Sequence, residues 1–280
     1  MSPRLPTAAL PAPADAAARR PEKRHSPGGF ARELAAALFG NRCVACGAAA
    51  GARGLCAACL RSARRIERQR PRCLRCAEAL DATAFHALPL DGAGPLPICA
   101  HCAAAPPPWS QAVVGAAYEP PWDRIELALK FGAALPNAPA LASLIELALR
   151  ARHADLAGWW LLPVPLAPAR LATRGYNQAD RIARALAAGT GARVDNGALL
   201  RRLDTPAIAR LGRAARTRAL TGAFALAPGA QQRLAGQRIA LIDDVMTTGA
   251  TLRAAALSLA PLRPGALCVL AALRTPPPDS

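Results

Sequence analysis

The sequence predicts an α/β fold: a parallel sheet flanked by helices, preceded by a small cysteine-rich module. Three observations predict it. From residue 110 onward, apolar runs of strand length alternate with helical patterns, the arrangement of parallel sheets covered on both faces. One run, Ile239-Ala-Leu-Ile242, is apolar at every position and ends in two acids, Asp243 and Asp244. Eight of the nine cysteines stand in Cys-x-x-Cys pairs between Cys43 and Cys102.

A chain of 280 residues with 52% hydrophobic content is long enough to bury one domain core and a smaller second one. Residues 1–28 are rich in Ala, Pro and Arg without periodicity and read as a disordered tail. Phe30, Leu34 and Leu38 then repeat at every fourth position, which suits a short helix ending near Gly40. A cysteine-rich domain follows over 40–103, and a run of three prolines, Pro106 to Pro108, stiffens the linker after it. The second domain, 110–275, begins with a strand over 112–118 and helical patterns at 121–131 and 138–152. A buried strand at 159–164 and a helix at 177–188 come next. The strand over 238–245 leads into a helix at 249–259, and 267–273 is the closing strand.

The net charge of +17 admits polyanionic partners, either nucleic acid or a phosphate-rich ligand. Lys23 and Lys130 are the only lysines, so nearly all the positive charge is arginine. Heavy use of Ala, Arg, Gly and Pro fits coding bias equally well. No stretch reaches the roughly 18 apolar residues of a membrane span. Pro6, Pro11 and Pro13 interrupt any signal-peptide core, and Asp15 follows. The expectation is a cytoplasmic protein without membrane insertion, whose paired cysteines hold metal instead of forming disulfides.

Ligands of open parallel sheets bind at the carboxyl ends of the strands, where Asp243 and Asp244 stand. Thr247-Thr-Gly-Ala-Thr251 then turns into the next helix, so several backbone N–H groups converge at its N-terminus. Free amides and the helix dipole both favour an anion there, and a phosphate fits. Gly249 lets the backbone approach closely, while Thr247, Thr248 and Thr251 add hydroxyl donors and Ala250 belongs to the same turn. Two carboxylates beside a phosphate suit ribose hydroxyls and, indirectly, a hydrated Mg²⁺.

A second segment runs Leu162-Pro-Val-Pro-Leu166, then Arg170, then Arg174-Gly-Tyr-Asn-Gln-Ala179. It joins a buried strand to an amphipathic helix and so reaches the same sheet edge. Arg170 and Arg174 lie four apart and can face a diphosphate, since guanidinium groups make planar bidentate contacts with such anions.

Cys43, Cys46, Cys56 and Cys59 form one cysteine set; Cys73, Cys76, Cys99 and Cys102 form another. Each pair offers two thiolates at one tight turn, and two pairs complete a tetrahedral Zn²⁺ shell with no open position, so the metal is structural. Sequential pairing is favoured, although spacing also admits Cys43 and Cys46 with Cys73 and Cys76. His101 is read as a bystander and Cys268 as an inert core residue. Between the sets, Arg61, Arg64, Arg65 and Arg68 share one face if residues 60–70 are helical. That stripe suits a phosphate backbone, or simply a solvated face.

The turn after Asp244 resembles that of type I phosphoribosyltransferases, and the chain from about 40 to 275 resembles the ComF family of competence-associated proteins. The resemblance rests on the paired cysteines, Leu129-Lys-Phe131, the 163–179 segment and the acidic turn. It implies a type I phosphoribosyltransferase-like domain behind a double zinc ribbon, and phosphoribosyl pyrophosphate (PRPP) with Mg²⁺ as ligand. Asp243, Asp244 and the 247–251 turn would bind the phosphoribosyl group. Arg170, Arg174 and Gly175 would lie in the pyrophosphate loop, with Lys130 near the site. The basic stretch 201–224 would be a flexible catalytic loop, but Ile208 and Ala219 stand where Gln and Asn are usual. Both departures delete hydrogen-bonding groups. Three functions follow as expectations: a pentosyl-transferring enzyme, a PRPP-responsive protein handling single-stranded DNA with the DNA-uptake machinery, or a zinc-ribbon adaptor.

Overall fold

The computed structural model describes residues 41–68, 71–80, 97–203, 220 and 222–276. The expected tail over 1–28, the helix at 30–38 and residues 204–219 of the basic loop, with Ile208 and Ala219, lie outside the described residues. The strands are β1 (Gln111–Ala117), β2 (Trp160–Pro163), β3 (Arg193–Val194), β4 (Leu199–Arg201), β5 (Phe224–Leu226), β6 (Arg238–Met246) and β7 (Ala266–Arg274). The helices are α1 (Ala57–Arg68), α2 (Ala100–Ala104), α3 (Trp122–Phe131), α4 (Asn137–Ala151), α5 (Pro168–Arg174), α6 (Gln178–Thr190), α7 (Ala230–Leu234) and α8 (Ala250–Ser258).

Five strands form one sheet in the order β1-β7-β6-β2-β3, with every neighbouring pair parallel. The expected α/β architecture is therefore present. The final strand does not lie at an edge: β7 is inserted between β1 and β6, and all nine of its residues are buried. Side chains alternate between two apolar layers. Ile239, Leu241, Leu267 and Val269 face one core with Leu252 of α8; Ala240, Ile242, Cys268 and Leu270 face the other with Leu144 of α4 and Ile182 of α6. Apolar residues at consecutive positions are what a strand covered on both faces requires. Helix α6 starts where Asn177 Oδ1 accepts the Ala179 N–H at 3.0 Å, and it ends at Gly191, whose φ of 69° is left-handed.

The cysteine-rich module straddles the open edge of β1. The Ala112 N–H donates to the Leu74 carbonyl at 2.8 Å, and the Ala117 N–H to Glu67 Oε1 at 3.1 Å. Arg152 Nη1 donates to the Ala112 carbonyl at 2.9 Å. Glu67 is held in turn by Arg72, whose Nε and Nη2 reach its two oxygens at 2.6 and 3.0 Å. An unpaired strand edge is a template for foreign strands, and here the chain covers its own.

Helix α4 crosses β1 at Gly115, where a Cβ would sit 2.6 Å from Leu144 Cβ, 2.8 Å from the Ala272 carbonyl oxygen and 2.9 Å from the Ile145 nitrogen. Two of those neighbours are backbone and cannot swing aside. Gly115→Ala should therefore lower stability by about 1–3 kcal/mol through overpacking. Gly51→Ala, which meets nothing within 4 Å, is the control. Thermal denaturation of the two variants checks the difference.

Candidate functional site

Strand β6 carries Asp243 and Asp244 to the carboxyl end of the sheet, and α3 and α6 converge on them. Asp244 is buried; its Oδ2 accepts from Gln178 Nε2 at 2.7 Å and lies 3.7 Å from Lys130 Nζ. Lys130 Nζ is also 3.1 Å from Oε1 of Glu126, one turn earlier on α3 and 1% exposed. Arg174 Nη1 donates to Gln178 Oε1 at 2.5 Å. A continuous polar chain therefore runs from Arg174 through Gln178 and Asp244 to Lys130 and Glu126.

The electrostatics follow from burial and crowding. Burial and the neighbouring Asp244 hold the Asp243 carboxyl well above its ordinary value. Burial, with Asp244 again, pushes Glu126 up to about 7. Asp244 is buried too, yet Lys130 and the hydrogen bonds from its neighbours keep it below the usual range. Lys130 itself is raised, because Asp244 and Glu126 outweigh its burial. Asp244 is thus the residue that holds the negative charge.

The 163–179 segment is fixed at both ends. Asn177 Nδ2 donates to the Val164 carbonyl at 2.9 Å, and the Tyr176 hydroxyl donates to the Leu129 carbonyl. Gly175, with φ of 78°, ends α5 in the left-handed conformation that suits glycine. Arg170 and Arg174 on α5 line a cavity of about 500 Å³ with Lys130, Phe131, Thr173 and Tyr176. The expected residues Lys130, Arg170 and Arg174 are therefore brought together.

Thr248, Gly249 and Ala250 of the turn line a different cavity, of about 480 Å³, facing Cys76, His101, Trp109 and Arg253. Gly249, with φ of 76°, precedes α8; a Cβ there would sit 3.0 Å from Met246 Cε. Thr248 Oγ1 lies 3.4 Å from the Ala250 nitrogen, which donates to it. Arg274, 3% exposed, secures this turn: Nη1 donates to the Met246 carbonyl at 3.2 Å, to the Thr275 carbonyl at 2.8 Å and to the Thr247 carbonyl. Its Nε donates to the Cys76 carbonyl at 3.2 Å.

Sequence reasoning missed Glu126, Gln178 and Arg274. Glu126 had a signal, an acid among Trp122, Ile125 and Leu129 on the buried face of α3 and four residues before Lys130. Gln178 lay inside the quoted segment without a role of its own. Arg274 is one more arginine in an arginine-rich chain, and nothing local marks it.

The cysteines pair sequentially. In each set, Cys43, Cys46, Cys56, Cys59 and Cys73, Cys76, Cys99, Cys102, the four sulfurs lie within 4.8 Å of one another, which rules out the crossed arrangement. Sulfur atoms of Cys46 and Cys56, and of Cys76 and Cys99, are 3.7 Å apart. That is far from a disulfide bond and close to the roughly 3.8 Å edge of a tetrahedron with Zn–S bonds of about 2.3 Å. The donor set fits structural Zn²⁺. The two knuckles share one backbone plan. Gly47 and Ala77 donate to the carbonyls of Cys43 and Cys73 at 2.8 Å, and both adopt positive φ, 75° and 54°. Amides reach the sulfurs as well: Cys59 N–H donates to Cys56 Sγ at 3.4 Å and Cys99 N–H to Cys73 Sγ at 3.3 Å. Such donors favour thiolates. His101 belongs to neither set, and Cys268 is fully buried with its thiol pushed up by burial. Metal analysis should return two Zn²⁺ per chain, and Cys46→Ser should weaken retention at the first set while the second stays loaded.

Comparison with known proteins agrees with this geometry. The double zinc ribbon domain model matches residues 34–103. DNA utilization protein YhgH of Escherichia coli (strain K12) is 34% identical over 221 residues, covering 77% of this chain and 87% of that protein. The Salmonella typhimurium protein of the same name is 32% identical over 219 residues, with the same shares. Competence protein F of Haemophilus influenzae is 29% identical over 220 residues, covering 77% of this chain and 89% of that protein. At this identity and coverage the chain belongs to the ComF family that includes YhgH and competence protein F.

Proposed function

We propose that this protein binds PRPP at the carboxyl edge of the sheet and serves the use of incoming DNA, as the names of its relatives suggest. The observation that carries the reading is the chain Arg174–Gln178–Asp244–Lys130, which couples a basic loop to the acidic strand end through two hydrogen bonds and an ion pair. Arg170 and Arg174 would hold the diphosphate, Asp243 and Asp244 the ribose hydroxyls, and the amides of 247–251 the 5-phosphate. Mg²⁺ would arrive hydrated on the diphosphate and neutralise its charge. Residues 40–103 act as a zinc-bearing unit and 110–275 as the ligand-binding unit. Binding is the primary activity in this reading, and pentosyl transfer is secondary because Ile208 and Ala219 lack hydrogen-bonding groups. Among the described residues no helix is long and apolar enough to cross a membrane. Reduced, metal-holding cysteines suit a cytoplasmic setting.

Isothermal calorimetry tests the site. Asp243→Asn with Asp244→Asn should weaken Mg²⁺-dependent PRPP binding about tenfold or more, the scale of losing charge-assisted hydrogen bonds in a buried site. Undiminished affinity in the double variant rules the assignment out.

A second activity, contact with single-stranded DNA, is favoured by α1. Arg61, Arg64 and Arg65 are exposed on this helix, while Ala63 packs inward; the side chain of Arg68 lies outside the described residues. The segment has no aromatic residue, so contacts would go to the phosphate backbone and weaken with salt. Fluorescence anisotropy of labelled DNA should show weaker, less salt-dependent binding by Arg61→Glu/Arg64→Glu/Arg65→Glu. Equal affinity in both proteins would make the charge merely compositional.

A further inference from the structure

Phe131 ends α3 with its side chain in solvent. Helix α3 buries Trp122, Ile125, Glu126 and Leu129, yet Phe131 is 73% exposed. Single exposed apolar side chains are ordinary; what sets this one apart is its place. The ring stands at the mouth of the cavity of about 500 Å³ that Arg170 and Arg174 line. Lys130 Nζ lies 5.9 Å and Arg174 Cζ 5.6 Å from its centroid, at the outer limit of cation–π contact. No acid is among the described residues that line this cavity; Glu126 and Asp244 are buried behind Lys130. The Tyr176 hydroxyl ties the loop to the Leu129 carbonyl, two residues before Phe131.

We infer that this cavity is a nucleotide site: a nucleoside diphosphate with its phosphates on Arg170, Arg174 and Lys130 and its base stacked on Phe131. The inference shares with the PRPP reading only the premise that the two arginines face a diphosphate. PRPP itself carries no flat ring, so Phe131 has no function in holding it. A single-stranded polynucleotide spreads its phosphates one at a time along the strand, whereas Lys130, Arg170 and Arg174 here line one cavity. A diphosphate concentrates charge in that way. The ring supplies a flat apolar face, and every base stacks on such a face with little sequence preference. Because both ligands would use Arg170 and Arg174, a nucleoside diphosphate and PRPP exclude each other. The same cavity therefore makes PRPP occupancy responsive to nucleotide concentration.

Calorimetry on the full chain, with ADP, UDP and inorganic pyrophosphate as probes, tests this. The wild type should bind ADP more tightly than pyrophosphate. Phe131→Ala should weaken ADP about tenfold, the scale of one base–aromatic stack, and leave pyrophosphate unchanged. Phe131→Trp should retain ADP affinity, and Arg174→Gln should weaken all three probes. Equal affinity of the wild type for ADP and pyrophosphate overturns the inference, as does ADP binding that ignores Phe131→Ala. The Asp243→Asn protein separates the two readings, since that carboxyl serves the proposed ribose contact and does not line this cavity: it should weaken PRPP and keep ADP. A wild type that binds ADP in a Phe131-dependent way but never binds PRPP removes the PRPP reading and leaves this one standing.

Discussion

Arg274 is the interaction on which the site and the module both depend. A buried guanidinium is costly unless nearly all its donors are met. Here it donates to the carbonyls of Met246, Thr247, Thr275 and Cys76, and Glu78 lies 3.7 Å from Nη2. These bonds orient the peptides of the turn. In a trans peptide the N–H points opposite to the C=O, so turning the Met246 and Thr247 carbonyls toward Arg274 turns the Thr247 and Thr248 amides away from it. The direction of the turn's amides is thus set from behind, by a side chain that also clasps a cysteine knuckle.

Charge balance is the second organising constraint. Asp244 opposes the ionisation of both Asp243 and Glu126, and Lys130 is the one ammonium among them. Asp244 takes the charge because Lys130 and Gln178 both serve it. Glu126, held up to about 7, favours the folded state only while protonated. That contribution is complete below the ordinary carboxylate range and is gone once the pH has risen through 7.

Much of this was legible in the sequence, for local reasons. Ile239 to Ile242 had to be a doubly covered strand, and the acids after it had to stand at a sheet edge. The Cys-x-x-Cys pairs announced metal knuckles through spacing alone. Strand order was not legible: β7 lies between β1 and β6 because of pairings more than 20 residues apart for β6 and far more for β1. Nor was the short helix α5, where Pro168 at the helix start and Gly175 at its end left only seven residues of pattern. Of the partners of Asp244, Lys130 was placed near the site only by resemblance and Gln178 had no role, because no periodicity within α3 or α6 points across space to β6.

The two cysteine sets lie against opposite faces of the sheet. Cys43 and Cys56 join the layer of α4, while Ala77, beside Cys76, joins the layer of α8. The module grips β1 like a clip over the rim of a sheet, and zinc keeps the clip closed. Its loss would release Leu74 and Glu67 from Ala112 and Ala117 and leave a parallel, apolar edge open to a second copy of the chain. Metal supply would then govern colloidal behaviour as much as folding.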